Sequence, residues 1–361
     1  STNKSLRVRI MLILNNNCLT VKYEGQTYSK EVSPDELTMI KVYAMDNDLE
    51  SIINLCFPTS KCLLKREGFW EEDASVYYKN IKVSIPQVLA VKMLEASEEE
   101  FQRLIKFWGW LSLNPNPRTR EHLYDWVDKH GVQLTNGGLM ILYRRVVSIN
   151  PKNTELGKFV KETYEKLRKQ KKSTDVTVYE DVEGYYVSQV NYGAKLIGNL
   201  KQLHLELDLP LQVFTDNHTH TKRYVIGEEA REERKEGDEN SSVSCSRGLH
   251  MSHKDYSFSG FGDTPIAVVV NPCDILAVPD NGQKITSCAF TPVAILNKDA
   301  EWAEDKEVHN RIDSCSDAAI DRLETLLGEA NFEDFKKHEV LANEWNLAVG
   351  FETVLKLLNK Q

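Results

Sequence analysis

Apolar and polar positions alternate through the first thirty residues. Leu6-Arg7-Val8-Arg9-Ile10, Leu19-Thr20-Val21-Lys22-Tyr23 and Gln26-Thr27-Tyr28 repeat with a period of two, which sends successive side chains to opposite faces of a strand. Asn15–Asn17 and Glu24-Gly25 separate them, so 6–32 reads as an antiparallel meander. The period then lengthens. Ser33-Pro34-Asp35-Glu36 supplies a cap, a first-turn proline and early acids, which predicts a helix over 34–46. A second helix fits 47–56, strands return across 62–85, and Pro86 opens a helix over 86–95.

A helical pair follows. Ser97-Glu98-Glu99-Glu100 reads as a capping box, and Phe101, Leu104, Ile105, Trp108 and Leu111 recur at helical spacing. Asn114-Pro115-Asn116-Pro117 stops that helix. Asn116 caps the next, whose stripe is Leu123, Trp126, Val127 and His130, ended by Gly131. After the turn Thr135–Gly138, the run Leu139-Met140-Ile141-Leu142-Tyr143 reads as a strand buried on both faces.

Further strands fit 174–192, Ile266–Val270, Ile275–Val278 and Ala289–Ile295, where Pro292 points to an edge or a bulge. The last sixty residues return to helix. Ser316 reads as the cap of a helix over 318–327, and helices follow over 332–337 and 340–358. The expectation is an α+β protein in three parts. They are a small N-terminal α/β unit over 1–95, a β-rich mixed core with flanking helices over 96–298, and a helical C-terminal region over 299–361. Within the core, the helical pair is 97–131 and the β-rich part 135–298.

Composition narrows the function classes. The 361 residues carry 45 Lys+Arg against 54 Asp+Glu, a formal charge of −9, which argues against a protein that coats nucleic acid. No apolar run approaches the ~20 residues that span a bilayer, and Ile10–Leu14 is too short for a signal-peptide core, so a soluble chain in a reducing cytosol is expected. The seven cysteines, at 18, 56, 62, 245, 273, 288 and 315, are odd in number and form no CxxC, which reads as reduced thiols. The charge is uneven. Residues 158–172 hold seven Lys/Arg and two Glu, a basic helix face; residues 228–240 hold seven acids and three bases, a solvated, mobile loop or short helix.

Candidate chemistry gathers between 214 and 253, where four of the nine histidines fall. His218, His220, Cys245, His250 and His253 are of the types that ligate zinc, but their spacing matches no familiar finger. Cys245 with His218, His220 or His250 as base and Asp216 as orienter would make a thiol nucleophile. Gly248-Leu249-His250 shares a short pattern with a strand of ADP-ribosyltransferase folds, which works there with an upstream His-Gly and a downstream Glu; the one His-Gly here, His130-Gly131, falls at a predicted helix end. The plainer reading, and the favoured one, makes these side chains anchors that hydrogen-bond locally and hold a loop. Complete nucleotide-loop, HExxH and GxSxG motifs are missing from the sequence, and no cofactor is implied.

Four stretches in order resemble the phage rapid-lysis protein B (rIIB-like) family over roughly 95–297. The first is Asn114-Pro115-Asn116-Pro117-Arg118 leading into Leu123-Tyr124-Asp125-Trp126-Val127. The second is Leu134–Val146, with Thr135, Gly138 and the strand Leu139–Tyr143. The third is Thr215-Asp216-Asn217-His218-Thr219. The fourth, the most specific, is Cys245-Ser246-Arg247-Gly248-Leu249-His250, followed by Asn271-Pro272-Cys273-Asp274-Ile275-Leu276-Ala277-Val278-Pro279. On this resemblance Thr215, Asp216, His218, Cys245, Ser246, Gly248, Leu249, His250, Asp274 and Pro279 are the motif residues. Asp280–Thr286 departs from the family's pattern after Val-Pro, and 299–361 matches nothing in it.

The resemblance implies a phage-encoded accessory protein without established catalytic activity. It would act in the infected host cell on lysis timing or against host or prophage exclusion, beside a companion (rIIA-like) protein at the inner face of the membrane. Peripheral contact through 158–172 is compatible with that role. A metal-binding or nucleotide- or NAD-directed enzyme centred on Asp216, His218, Cys245 and His250, and a virion component, are the alternatives.

Overall fold

The structure, a computed structural model, describes residues 11–15, 17–23, 26–56, 60–73, 75–79, 81–169, 176–180, 184–189, 213–216, 218–242, 247–257, 262–280, 282–297, 301–302, 306–328 and 358. It is an α+β protein. Two compact units divide the chain, Ser1–Glu98 and Glu99–Gln361.

In the first unit, β1 (Met11–Asn15), β2 (Cys18–Tyr23) and β3 (Gln26–Glu31) form the antiparallel meander. Its first strand begins at Met11; the alternation at 6–10 lies outside the described residues. Asn17 takes the left-handed conformation (φ 63°) that asparagine tolerates best among non-glycine residues. Next comes α1 (Pro34–Met45), with a complete capping box. Ser33 Oγ accepts from Glu36 N at 3.2 Å, and the Glu36 carboxylate accepts from Ser33 N at 2.8 Å. Leu19, Val21, Val32, Ile40, Ile52 and Cys56 make one core from the meander, α1 and α2 (Leu49–Cys56). A second three-stranded sheet, β4 (Phe69–Glu72), β5 (Ser75–Tyr78) and β6 (Ile81–Lys82), and α3 (Gln87–Glu95) complete the unit.

The second unit enters through α4 (Glu98–Ser112) and α5 (Pro117–Lys129). Asn116 caps α5 by accepting from Arg118 N at 3.0 Å and Thr119 N at 3.4 Å. Then come β7 (Gln133–Leu134), β8 (Met140–Ser148), α6 (Glu155–Lys169), and the hairpin β9 (Val176–Glu180) and β10 (Tyr185–Gln189). They are followed by β11 (Val213–Thr215), β12 (Tyr224–Val225), β13 (Ala230–Arg231), β14 (Leu249–Ser252) and the single turn α7 (Lys254–Ser257). The unit ends with β15 (Thr264–Val270), β16 (Ile275–Ala277), β17 (Lys284–Ser287), β18 (Ala289–Ile295) and α8 (Lys306–Gly328).

Ten of these strands form one sheet, whose path runs β13-β18-β15-β8-β14-β17-β16. Every residue of β15 is buried, and in β8 only Arg144 and Arg145 are half-buried, as a central strand covered on both faces requires. The β15–β18 register slips between Ala267↔Ala294 and Val268↔Pro292, so Val293 is the extra residue of a bulge beside Pro292. The two ends of the path meet. Arg231 of β13 pairs with Asp274, the residue before β16, so the sheet curls nearly closed.

Two expectations fail. Ser316 does not cap a helix; it lies inside α8, which already runs from Lys306. The polar start of α8 hides a stripe of Val308, Ile312 and Leu323, all buried, and Arg311 fixes it to the sheet by donating to Val293 O at 3.1 Å. The acidic stretch 228–240 does hold a short helical turn, Arg234–Glu236, but it is no free, mobile loop, because β13 pairs with β18 there and both its arginines reach inward. The helices predicted over 332–337 and 340–358 lie outside the described residues, apart from Leu358, which is helical and buried.

Candidate functional site

The second, third and fourth similar blocks meet at one edge of β8. Along its other edge β8 pairs with β15 from Met140 to Val146. On the near edge it takes three short strands in turn: β7 at Met140 and Ile141, β14 at Tyr143, and β11 at Val147 and Ser148. The third and fourth blocks therefore attach a few residues apart on the second.

Asp216 organises the third block. It ends β11, and the chain returns as β12 with Phe214 opposite Tyr224. The Asp216 carboxylate accepts five hydrogen bonds from the connecting loop. They come from the backbone N–H of His218 (3.2 Å), Thr219 (2.7 Å), Thr221 (3.1 Å) and Lys222 (3.1 Å), and from Thr219 Oγ1 (2.9 Å). Burial pushes this carboxyl's pKa up, but the bonds from Thr219, Lys222 and His218 outweigh it and hold the group well below the usual range. The residue is an ionised loop anchor.

His218 contributes its backbone to that anchor while its side chain is exposed. His220 is half-buried and takes a left-handed φ of 54°. Burial, together with nearby His218 and Arg223, lowers its pKa against the pull of Asp216. Thr215, fully buried, accepts from Arg223 Nη1 at 3.2 Å.

The fourth block is described from Arg247 onward; Cys245 and Ser246 lie outside the described residues, and the thiol reading rests on the sequence alone. Gly248 has φ 133°, and a Cβ there would stand 2.4 Å from Thr286 Cγ2, so both conformation and space require glycine. Leu249 is buried. His250 is half-buried on β14, opposite Thr286 of β17.

Arg144 of β8 links the two blocks. Its guanidinium donates to His250 O and to the Tyr224 hydroxyl, each at 3.3 Å. It lies over the rings of Tyr224 (5.1 Å) and Phe290 (5.3 Å), a cation held between aromatic faces. Burial raises the Tyr224 pKa, although Arg144 opposes the rise.

A second node joins the first block to the end of the fourth. Asn114, fully buried, donates from Nδ2 to Pro272 O and Ile275 O, each at 2.8 Å. Asn116 Nδ2 donates to Leu276 O at 3.0 Å. Asp274 receives the Arg231 fork, Nη1 to Oδ1 and Nη2 to Oδ2, both at 3.0 Å. Arg234 donates to Cys273 O and Ile275 O at 2.9 Å and to Asn114 Oδ1 at 3.2 Å. Burial, reinforced by Asp274, pushes the Cys288 thiol up to about 12, and burial raises Cys273 well above its ordinary value. Pro279 is half-buried at the far end of this stretch, against Gly282.

Among the described residues, no group of three or more His, Cys, Asp or Glu is placed to hold a metal ion. No described helix is long and apolar enough to cross a membrane. No protein-family model matches the chain, no curated protein matches it, and no solved structure matches it.

Arg144 stands in the second block with no role read for it, and sequence reading does not single out Arg231 and Arg234. The last two sit in an acidic run whose net charge concealed them. A spacing of three between arginines, in a stretch with strand and turn residues, is the only sequence signal they leave.

Proposed function

We propose that this chain is a non-catalytic accessory protein of a bacteriophage, similar to the rapid-lysis protein B family. It works in the infected cell by contact with a companion phage or host protein, on lysis timing or against exclusion systems. One observation carries the reading. Four polar side chains of the similar blocks, Asn114, Asn116, Asp216 and Asp274, are taken up by the protein's own groups. Asn114 and Asn116 hold carbonyls of 272–276, and Asp216 holds four N–H groups of its own loop. Asp274 is filled by Arg231. Residues spent in this way build a rigid frame for a surface rather than a set of groups poised on a reacting atom.

Exposed Lys158, Lys161, Lys166 and Lys169 on α6 support an added contact with anionic lipid at the inner face of the membrane. The test is recovery of the tagged full chain from infected cells, paired with deletion of its gene from the phage. A companion protein in near-stoichiometric amount and an altered lysis time are expected. Turnover of NAD or a nucleotide by the purified chain, lost in His250→Ala, would overturn the reading. So would stoichiometric recovery of the chain in purified particles with lysis unchanged.

A further inference from the structure

One juxtaposition in the second unit is used by none of the four blocks. His130 closes the C-terminal end of α5, donating its backbone N–H to Trp126 O at 3.1 Å. His253 directly follows β14. Their imidazole rings lie face to face, with centroids 4.4 Å apart and planes 8° from parallel. Trp126 lies 4.8 Å from the His130 ring and donates its indole N–H to Gly282 O at 3.1 Å. His253 Nε2 donates to Gln283 Oε1. Gly282 and Gln283 lead into β17, which pairs with β14 along its whole length. The stacked rings and the Trp126 bond thus fasten the end of α5 to the β14–β17 pair, and the His253 bond ties the two strands to each other.

We infer that the His130–His253 stack is a proton-sensitive latch between α5 and the β14–β17 pair, closed while at most one imidazole is charged and opened when both are. Parallel imidazoles attract when neutral or when one is a cation, whereas two cations at this separation in a half-buried site repel. Burial, His253 and Lys129 all act to lower the His130 pKa from its ordinary 6.5. Other ionisable groups on the elements that meet here include His122, Asp125 and Asp128 on α5, His250 on β14, Lys254 and Asp255 on α7, and Lys284 at the start of β17. The direction follows from linkage. The closed form takes up the His130 proton less readily than the open chain, so the stabilisation is present above 6.5 and is lost as pH falls through the lowered value.

The test is a histidine NMR titration of the full chain from pH ~8 to ~5, read with the exchange of the Trp126 indole proton. The wild-type His130 should titrate below 6.5. In His253→Phe, which keeps a ring and removes the charge, its midpoint should move up. The protection factor of the Trp126 indole should drop by about tenfold per pH unit as the second proton binds, and more shallowly in His253→Phe. Amide protons of β15 should stay protected throughout, which separates opening of the latch from unfolding. His130→Phe tests the contact from the other side and should flatten the indole response likewise. A wild-type midpoint at or above 6.5, an unmoved midpoint in His253→Phe, or loss of β15 protection together with the indole would overturn the inference.

Discussion

Asp216 and Asp274 are both buried carboxylates of the second unit, 6% and 8% exposed, and they are satisfied in opposite ways. Asp216 takes all its hydrogen bonds from residues within six positions of itself, four of them backbone N–H groups. Asp274 takes a guanidinium from 43 residues away, and that guanidinium lies at the opposite end of the sheet path. The first is a local device that shapes a loop. The second closes the sheet, and its neighbours Arg234 and Asn114 bind the helical pair to the same turn. Equal burial therefore does not mean equal reach: local satisfaction confines the damage of a mutation, and long-range satisfaction spreads it.

The sharpest test of that contrast removes the long-range partner. Asp274→Ala leaves Arg231 with Glu229 as its remaining carboxylate partner among the described residues and should lower unfolding free energy by about 3–5 kcal/mol, measured by urea denaturation. Replacing Arg231 as well, in an Arg231→Met/Asp274→Ala double variant, should recover part of the loss, because no charge is then stranded. Arg234→Ala removes donors from two buried carbonyls and should destabilise by about 2 kcal/mol in the same assay.

Asp216→Asn comes next, at about 1–2 kcal/mol, since the amide keeps the shape of the carboxylate but halves its acceptors. It also carries a pH signature. Asp216 is lowered from 3.8 in the folded chain, so its stabilisation is complete above 3.8 and fades as pH falls toward the lowered value. Acid unfolding of Asp216→Asn should be flatter below pH ~4 than that of the wild type. His218→Ala should move stability by no more than about 0.5 kcal/mol, because the ring is exposed and only the backbone is used. If Asp216→Asn proves more damaging than Asp274→Ala, the distinction between local and long-range anchoring fails.

Local features were legible in the sequence. The Ser33 cap with Pro34 behind it, the Asn116 cap, the buried run that becomes β8 and the bulge beside Pro292 all depend on residues next to one another. Asp216 belongs with them, since an aspartate followed by threonines marks an anchored turn. What could not be read was any feature whose partner lies far along the chain. The 228–240 stretch looked solvated because its seven acids outnumber its bases, yet Arg231 and Arg234 decide its conformation. The start of α8 was missed for a related reason: Val308 and Ile312 are spaced among charges that face solvent, and only the sheet beneath shows why they are apolar.

The amino-acid sequence by itself determined the mixed α+β character, the bounds of α1, α3, β15, β16 and β18 to within about two residues, and the polar residues that had to be explained. Periodicity, caps and turn chemistry act over a handful of residues and need no knowledge of the fold. Tertiary structure alone decided what those polar residues do. It brought Asn114 to the turn after Asn271, Arg144 between two aromatic rings, Arg231 onto Asp274 and His253 onto His130. Asp216 aside, these buried polar groups are satisfied by whatever the fold places within about 3 Å, and that choice is made across the sheet rather than along the chain.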